Sequence, residues 1–435
     1  MRTRAELQAE AVELLAGLIR ADTSNPPGNE TRGARVIAAY LERSGIACEL
    51  VGPDPDRLNL VARIAGSGAG PSLTLLGHTD VVPADAAAWQ RDPFSGEVVE
   101  DHLWGRGAID MKSQTAANAV AFCELARSGF RPGGDLVLIA EADEEQGTDE
   151  VGLPWLVRER PDLATTYCLN EGGGERLELA DGRIVYTFSA SEKLTMPIRL
   201  RLRGLAGHAS VPSPESGIYR LIGVLERLRH FATEHRPNAE LTMLLDVIAP
   251  GPGGDDERVE RARASHPYLS EVIPALRGST ISPTGVVASA ALNVMPGVVD
   301  LLCDCRVLPG TTLDDLIAEF RTALDGLEAE IEPLEPPQGG TSSPLGTPLY
   351  AVLERLIDEL EPGAEIAPLM MPGFTDSHYL REAFGTVCYG FFPFRHTDPA
   401  LMETMHSADE RLHVDDLGAG VTMLVGAARA IGAIA

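Results

Sequence analysis

The chain has 435 residues, 44% of them hydrophobic, and its 64 acidic against 36 basic residues give a formal net charge of −28. A surface this acidic repels phosphate backbones, so we do not expect nucleic acid as a partner. The length can bury one large core or two moderate ones, which favours two domains. The acid excess fits solubility or a salty cytoplasm and does not indicate a substrate.

The first part of the chain alternates predicted helices and strands. Apolar residues recur at helical spacing from Leu7 to Leu18, but charged residues run through this helix, so it lacks the apolar core of a secretion signal. No apolar run is long enough to span a bilayer, and we expect a cytoplasmic protein without a membrane partner. The next predicted elements are a helix at 31–44, strands at 47–51, 59–64 and 73–76, a hairpin at 97–104, a helix at 112–127, and strands at 135–142 and 167–170.

Histidine and carboxylate side chains follow three of these strands. His78 and Asp80 come after the strand that starts at residue 73, the acidic run at 143–145 after the next, and Glu171 after the third, while Asp110 precedes a helix. Taken singly, each fits a turn residue or a helix cap. Open α/β sheets bind ligands at this edge, and so many carboxylates together need a compensating cation. The joint pattern therefore favours a metal site.

The pattern changes after residue 190. A strand, helix, strand, strand, helix, strand order follows, which is a split ferredoxin-like layout. The predicted bounds are strand 194–202, helix 218–232, strands 280–289 and 298–306, helix 313–324, and strand 327–331. A polar, glycine-rich insertion lies around 250–256, and a Pro- and Gly-rich stretch at 333–344 reads as an interdomain linker.

The last part of the chain returns to alternating helices and strands. We predict a helix at 348–360, a strand at 366–370, a helix after Asp376, a strand at 386–392 and a closing helix from 415. The fold class is therefore α/β, with an interrupted domain whose mixed sheet is flanked by helices and an inserted ferredoxin-like βαββαβ domain. The predicted domains are residues 1–190 and 341–435 for the interrupted unit and 191–338 for the inserted domain.

The six cysteines are scattered through apolar strand and helix patterns, which suits buried thiols better than a disulfide framework. Cys303 and Cys305 form the only close pair. Their alternate positions place both on one face of a strand, so we interpret them as core residues.

Six ordered motifs resemble the M20 family of dinuclear-zinc metallopeptidases and amidohydrolases, the group of carboxypeptidase G2, aminoacylase-1, acetylornithine deacetylase and succinyl-diaminopimelate desuccinylase. The resemblance covers nearly the whole chain. It implies that residues 1–190 and 341–435 form an interrupted catalytic domain and that residues 191–338 form a lid and dimerisation domain. Its motifs are Gly77-His78-Thr79-Asp80, Gly105-Arg106-Gly107-Ala108-Ile109-Asp110-Met111-Lys112, Glu141-Ala142-Asp143-Glu144-Glu145, Asn170-Glu171-Gly172-Gly173, Gly207-His208-Ala209-Ser210 and a late His406.

The resemblance implies a ligand set for two metals. One metal would take His78 and Glu171, the other Glu145 and His406, and Asp110 would bridge them. Nitrogen and oxygen ligands of this kind suit two Zn²⁺ per subunit first, with Co²⁺ or Mn²⁺ as alternatives. Two divalent ions, three carboxylates and a bridging hydroxide leave the site close to neutral.

The resemblance also implies catalytic roles. Asp80 would accept the other N–H of the His78 imidazole and fix its tautomer. Glu144 would be the general base that takes a proton from the bridging water and passes it to the leaving amine. His208 would reach the active site of the partner subunit and stabilise the oxyanion, which implies a homodimer through the lid.

Three more residues are implied as substrate contacts: Asn293, Arg306 and Gly373. Arg306 could grip a substrate carboxylate with two hydrogen bonds, or it could pair with a nearby acid such as Asp304. Gly373 belongs to a loop that is often a glycine-rich run in the family. Phe374 interrupts this run here, so the resemblance does not decide the shape of the loop.

The predicted function is hydrolysis of an amide bond in a small N-acyl-amino acid or a peptide with a free carboxylate. In the family, a glutamate at the place of Glu171 goes with deacylases and carboxypeptidases, and these two activities stay open here. A non-catalytic relative that only binds ligand would be expected to lack Glu144 or a metal ligand, and this sequence lacks neither. No Gly-x-Ser-x-Gly elbow or cysteine-histidine signature supports a serine or cysteine nucleophile.

Overall fold

A computed structural model describes residues 2–147, 151–236 and 238–434. Helices and strands alternate through the first 190 residues, as the apolar periodicity predicts. These elements are α1 (Arg4–Arg20), α2 (Thr31–Arg43), β1 (Cys48–Val51), β2 (Asn59–Ile64), β3 (Leu73–His78), β4 (Val98–Val99), β5 (His102–Trp104), α3 (Lys112–Arg127), β6 (Leu136–Glu141), α4 (Gly152–Glu159), β7 (Tyr167–Asn170), β8 (Arg176–Glu178) and β9 (Ile184–Phe188).

The middle of the chain holds a second group of elements. They are β10 (Leu194–Thr195), β11 (Ile198–Arg203), β12 (Gly207–His208), α5 (Gly217–His230), α6 (Ala239–Ile248), α7 (Asp255–Ser265), α8 (Pro267–Leu276), β13 (Thr280–Val287), β14 (Val294–Met295), β15 (Val298–Val307), α9 (Leu313–Leu324), β16 (Glu330–Pro333) and β17 (Gln338–Gly339). The remaining elements are α10 (Pro348–Leu360), β18 (Glu365–Pro368), α11 (Ser377–Phe384), β19 (Val387–Gly390), β20 (Arg411–His413) and α12 (Val414–Gly432).

The central sheet is mixed and has the strand order β1-β2-β6-β3-β7-β19. The strands β6, β3, β7 and β19 are parallel, so their carboxyl ends lie at one edge. Strand β19 comes from the last part of the chain and pairs with β7, with Val387 opposite Tyr167. The two ends of the chain thus share one sheet, and the predicted α/β class is confirmed.

Helices cover both faces of this sheet. One face packs on α1, α3, α10 and α12 through a large apolar cluster that includes Leu75 and Leu138. The other face packs on α4 and α11 through a smaller cluster that includes Leu76 and Ile139. Successive residues of a strand point to opposite faces, and the four residues of β7 and the six of β3 and β6 are all buried. This two-sided burial explains why these strands read as continuous apolar runs.

The predicted βαββαβ layout is confirmed in the middle of the chain. Its sheet has the antiparallel order β16-β11-β15-β13, with α5 and α9 packed against it. The last strand is at Glu330–Pro333, a few residues later than predicted. Cys303 and Cys305 lie in the core of this sheet, 1% and 0% exposed, as their alternation indicates, and all six cysteines are free.

The insertion between α5 and β13 differs from the prediction. The sequence indicated only a polar stretch around 250–256, whereas the structure has the three helices α6, α7 and α8 there. Their apolar faces join residues of β9 and β18 in one cluster, which includes Leu244, Val185 and Ala367. The insertion therefore packs on the part of the molecule that carries the central sheet.

Two buried side chains fasten the insertion to the chain near residue 190. Glu240 of α6 accepts a hydrogen bond from the backbone N–H of Ala190 at 3.0 Å and another from the Ser191 hydroxyl. The Lys193 ammonium donates to the carbonyls of Ala275 and Gly278, each at 2.9 Å, at the end of α8. These contacts hold α6 and α8 against the segment that leads into the lid.

The chain has only two lysines, Lys112 and Lys193, and both are fully buried. The Lys112 ammonium donates to the carbonyls of Leu18 at 2.9 Å and Ala21 at 3.1 Å, at the end of α1. Burial lowers the pKa of each lysine to about 8. Both lysines therefore act as internal donors to helix ends.

Among the described residues, no helix is both long and apolar enough to cross a membrane.

We predict that Glu240 makes the stability of the fold depend on pH. Burial raises its pKa to about 7, so between pH 4.5 and 7 the folded chain keeps a proton that the unfolded chain has released. The free energy of unfolding then falls as pH rises through this window, by about 3 kcal/mol from this group. In urea titrations at pH 4.5 to 8, the Glu240→Gln variant should gain stability relative to the natural chain as pH rises.

The exposed Glu328 gives a matched control for this experiment. The Glu328→Gln variant should follow the natural chain at every pH. If the stability difference between the Glu240→Gln variant and the natural chain stays constant with pH, folding does not raise the pKa of Glu240.

Candidate metal centre

The polar edge of the central sheet brings together the five residues expected to bind metal. His78 ends β3, Glu145 follows β6 and Glu171 follows β7, so parallel strands deliver these three side chains to one edge. Asp110 precedes α3, and His406 lies in the loop between β19 and β20. The structure thus joins residues that are more than 300 positions apart in sequence.

Asp110 lies between the two histidines. Its Oδ1 is 3.2 Å from Nε2 of His78, and its Oδ2 is 3.1 Å from Nε2 of His406. Nε2 of His78 is also 3.7 Å from Oε2 of Glu171, and Nε2 of His406 is 3.1 Å from Oε2 of Glu145. Two groups of donor atoms, one on each side of Asp110, therefore share this carboxylate.

The donor set fits two divalent cations. Two ligands about 2.0 to 2.2 Å from one tetrahedral zinc ion are about 3.3 Å apart, which is close to the separations here. The donors are imidazole nitrogens and carboxylate oxygens, which suit Zn²⁺, Co²⁺ or Mn²⁺. Among the described residues, His78 with Asp110 and Glu145, and His78 with Glu144 and Glu171, have ligand atoms within 4.8 Å of one another.

The buried carboxylates of the site need compensating positive charge. Burial raises the pKa of Glu145 and of Glu171, and the neighbouring carboxylates raise both further. The hydrogen bonds of His406 to Asp110 and Glu145 raise its pKa to about 10. Burial opposes protonation of His78, but its contacts with Asp110, Asp80 and Glu171 outweigh burial and raise its pKa well above the ordinary value. Protons on both imidazoles compensate the carboxylates in the chain alone, and bound cations would displace them.

Asp80 is buried behind His78 and holds several groups. Nδ1 of His78 lies 3.1 Å from the backbone carbonyl oxygen of Asp80 and 3.4 Å from its Oδ1. The backbone N–H groups of Glu144 and Glu145 donate to the two carboxylate oxygens, at 3.2 and 3.1 Å. Asp80 therefore fixes both the imidazole and the start of the loop that carries the two glutamates.

Glu144 lies on the side of the site formed by His78 and Glu171. Burial raises the pKa of its carboxyl well above the ordinary value, and the charge of Glu171 raises it further. A carboxyl with a raised pKa, close to metal ligands, can accept a proton from a water and later release it. The geometry is thus compatible with the general-base role expected for Glu144.

The two expected lid residues His208 and Asn293 lie beside each other and are exposed. Nδ1 of His208 accepts hydrogen bonds from the hydroxyl of Ser210 at 2.7 Å and from its N–H at 3.2 Å. The N–H of Ala209 donates to the Asn293 carbonyl at 3.0 Å. Within the described part of the chain, no hydrogen bond or ion pair joins either residue to the five candidate ligands.

Arg306 and Gly373 are the other two expected substrate contacts. The Arg306 guanidinium donates to both carboxylate oxygens of Asp304, at 2.8 and 3.0 Å, and to the hydroxyl of Thr195 at 2.9 Å. The pairing with Asp304, left open by the sequence, is thus present. Gly373 faces open space, and the ring of Phe374 beside it packs on His378 with 4.6 Å between ring centres.

The sequence analysis missed the role of Glu410. Its buried carboxylate accepts hydrogen bonds from the backbone N–H groups of Gly107, Ile109 and Asp110 at 3.0, 2.7 and 3.1 Å. It also forms an ion pair with Arg106 at 2.7 Å. Glu410 therefore holds the loop that presents the shared carboxylate. The signal in the sequence was an acidic residue four positions after His406, but spacing alone does not connect it to residue 107.

A buried pair of carboxyl groups was also missed. Burial raises the pKa of Glu141 to about 8, although its hydrogen bond with Asp376 lowers it in part. Burial also raises the pKa of Asp376 well above the ordinary value. Glu141 ends β6 and Asp376 precedes α11, so the contact joins two distant parts of the chain and no local pattern could reveal it.

Comparisons with known proteins find relatives of this chain in sequence. The model of peptidase family M20/M25/M40 matches residues 74–430. A succinyl-diaminopimelate desuccinylase from Cereibacter sphaeroides is 36% identical over 224 residues, and this alignment spans 49% of the present chain and 55% of the relative. The corresponding desuccinylase of Phenylobacterium zucineum is 28% identical over 414 residues, 94% of either chain.

Solved structures share the fold. An M20 family metallo-carboxypeptidase from Sulfolobus solfataricus superposes with a TM-score of 0.70 and 16% sequence identity. The alignment covers 97% of the present chain and 99% of that protein. The two proteins therefore share the overall fold.

We predict that Asp110 is required for both metals and His406 for one. The Asp110→Asn variant should weaken the binding of both ions by more than about 100-fold, because loss of even an outer partner of a ligand costs 10 to 100-fold. The His406→Ala variant should keep about one ion per chain, since the His78 side of the site is intact. Metal content after dialysis, measured by mass spectrometry, gives the number of ions that each variant retains, and competition with a chelator gives the loss of affinity.

The matched control is Asp314→Asn, which removes an exposed carboxylate in the first turn of α9. This variant should bind as much metal as the natural chain. An Asp110→Asn variant that still binds two ions tightly would contradict the shared position of Asp110.

Proposed function

The chain belongs to peptidase family M20/M25/M40, and from this membership we propose that it is a metal-dependent enzyme that hydrolyses the amide bond of an N-acyl-amino acid. Amide hydrolysis that depends on metal is the general activity of the family, and the particular substrate is our proposal. The observation that carries the proposal is Asp110, whose two oxygens lie within 3.2 Å of imidazoles on opposite sides.

We propose two Zn²⁺ ions for this centre, with Co²⁺ or Mn²⁺ as substitutes. His78 and Glu171 would hold one ion, Glu145 and His406 the other, and Asp110 both. Two bound cations would polarise the scissile carbonyl and lower the pKa of a water at the site. Three carboxylates against two dications leave room for one further negative charge, which supports a hydroxide as the nucleophile.

Glu144 moves the proton in this proposal. Its carboxylate takes a proton from the attacking water and delivers it to the nitrogen of the leaving amine. Asp80 keeps Glu144 in place, because the Glu144 N–H donates to its carboxylate at 3.2 Å. The buried position of Glu144 supports a pKa high enough for both steps.

Residues of the lid and of the loop at Gly373 hold the substrate in this proposal. Arg306 would bind the free carboxylate with its planar fork, in exchange for Asp304. Asn293 and the loop at Gly373 would contact the rest of the substrate. The desuccinylase relatives are named for removal of an acyl group, which favours a deacylase over a carboxypeptidase. The carboxypeptidase stays a second candidate because a structural neighbour has that name.

We propose that two chains associate through their lids. Large apolar side chains are exposed on α5 and on β13, which is an edge strand of the lid sheet, and monomeric surfaces rarely expose such patches. Examples are Tyr219 and Ile222, 54% and 59% exposed, and Val286 and Val287, 52% and 57% exposed. In such a dimer, His208 would serve the site of the partner subunit and stabilise the oxyanion.

We predict that the Glu144→Gln variant binds two metals and hydrolyses its substrate about 10² to 10⁴-fold more slowly, because only the proton shuttle is removed. The assay uses the zinc-loaded chain and a panel of N-acyl-amino acids and dipeptides with free carboxylates. Chelation should abolish any activity found, and Zn²⁺ or Co²⁺ should restore it.

Two further variants serve as controls for this test. Glu403→Gln changes an exposed glutamate on the loop that carries His406 and should leave activity and metal content unchanged. Glu145→Gln should lose metal and activity together. Undiminished turnover by the Glu144→Gln variant would remove this residue as the base, and turnover of dipeptides alone would favour the second candidate.

We predict that two inactive variants complement each other in mixed dimers. A dimer of one Glu144→Gln chain and one His208→Ala chain has one site with an intact Glu144 and the partner's intact His208. Random mixing by co-expression should therefore restore about a quarter of the natural activity, as expected for a symmetric dimer. If His208 acts in its own subunit, no mixed dimer has a complete site and activity stays at the level of the single variants.

A further inference from the structure

Three buried carboxylates lie directly behind the metal centre. Glu30, Asp80 and Asp143 are 0%, 0% and 2% exposed, and each offers an oxygen within 4.8 Å of the others. Asp80 is the residue that holds His78 and the backbone of Glu144. Repulsion among three such charges would push Asp80 out of position unless donors or cations offset it.

Arg57 supplies the cation of this group. Its Nη2 donates to Glu30 at 2.6 Å and to Asp143 at 2.7 Å, and its Nε donates to both oxygens of Glu30 at 3.0 and 3.2 Å. The guanidinium side chain is only 16% exposed. It occupies the space between the two acids and offsets part of the negative charge of the cluster, so an arginine supplies the compensating cation here.

Asn25 connects Asp143, which is paired with Arg57, to Asp80. Its side-chain Nδ2 donates one hydrogen to Asp143 at 2.8 Å and the other to Asp80 at 3.0 Å. The residue is 2% exposed, and its backbone N–H donates to the Val81 carbonyl at 2.9 Å. One amide nitrogen thus turns two carboxylates that would repel each other into a hydrogen-bonded set.

The residue type at position 25 follows from this geometry. A carboxylate there would have no donor and would add a fourth negative charge, whereas a serine would have one donor for two acceptors. An apolar side chain would leave the inner oxygens of Asp80 and Asp143 without that partner. Of these side chains, the amide satisfies both acids and adds no charge.

We propose that Asn25 and Arg57 are positioning residues of the metal centre. Arg57 holds Asp143 and Glu30, Asn25 holds Asp80 against Asp143, and Asp80 then aims His78 and fixes the backbone of Glu144 and Glu145. This inference rests on the proposed function of the five-residue cluster as a metal site. It assigns a role to the Thr23-Ser24-Asn25-Pro26-Pro27-Gly28 turn, which the reaction itself does not use.

The test measures zinc affinity of the whole chain by competition with a chromophoric chelator. Asn25→Leu and Arg57→Met should each weaken zinc binding by about 10 to 100-fold, the range found when the outer partner of a metal ligand is removed. Asn25→Ser, which keeps one donor, should lose less than Asn25→Leu. Circular dichroism and the melting temperature of each metal-free variant check that it folds.

A second substitution separates charge balance from simple packing. Adding Asp143→Asn to Arg57→Met removes one of the two carboxylates that lost their cation, the one that contacts Asn25, and the double variant should regain about tenfold of the lost affinity. Asparagine suits this position, because residue 143 has a positive φ of 69°. If Arg57 only packs the loop, the added substitution brings no recovery.

Arg160→Met is the matched control. Arg160 also bridges two carboxylates, those of Glu49 and Asp162, and its side chain is 22% exposed, but it lies outside the site. The Arg160→Met variant should leave zinc affinity unchanged. Folded Asn25→Leu and Arg57→Met variants with the natural affinity would overturn the inference, whereas a natural chain that binds no zinc would overturn the proposed function itself.

Discussion

Repulsion among carboxylates at one edge of a sheet is the constraint on which the site depends. Asp80, Asp110, Glu144, Glu145 and Glu171 all converge there, and burial raises the pKa of the last three. Such a cluster is stable only with compensating charge, which both imidazoles supply as protons in the chain alone. The acids behind the site have the same requirement, which the Arg57 guanidinium and the Asn25 amide meet.

The fold meets this constraint through the parallel strands. Because β3, β6 and β7 run in one direction, three separate strand ends bring their polar residues to one place. In sequence, the lid lies between two parts of the chain that share this sheet. The three helices of the insertion pack on β9 and β18 and tie the base of the lid to the catalytic part.

The sequence predicts what local patterns encode. Strands such as Asn59–Ile64 and Tyr167–Asn170 and the helix Lys112–Arg127 have the predicted bounds, because apolar runs and periodicity specify them. The five candidate ligands came from strand ends and from the resemblance of motifs. The helices α6 to α8 were missed because several glycines and prolines interrupt their region. The pairing of Arg57 with Asp143 was missed because 86 positions separate the two. Domain bounds, zinc as the metal, the dimer and a cytoplasmic location stay predictions.

The two buried lysines have a consequence for the outer surface. Every other basic side chain is an arginine, whose guanidinium stays protonated far into the alkaline range. The positive charge of the surface therefore stays nearly constant at alkaline pH, where the lysines of other proteins lose their protons. Reagents that acylate amines, such as common crosslinkers and dye esters, will find almost no side chain to react with unless the fold opens, so their uptake reports unfolding.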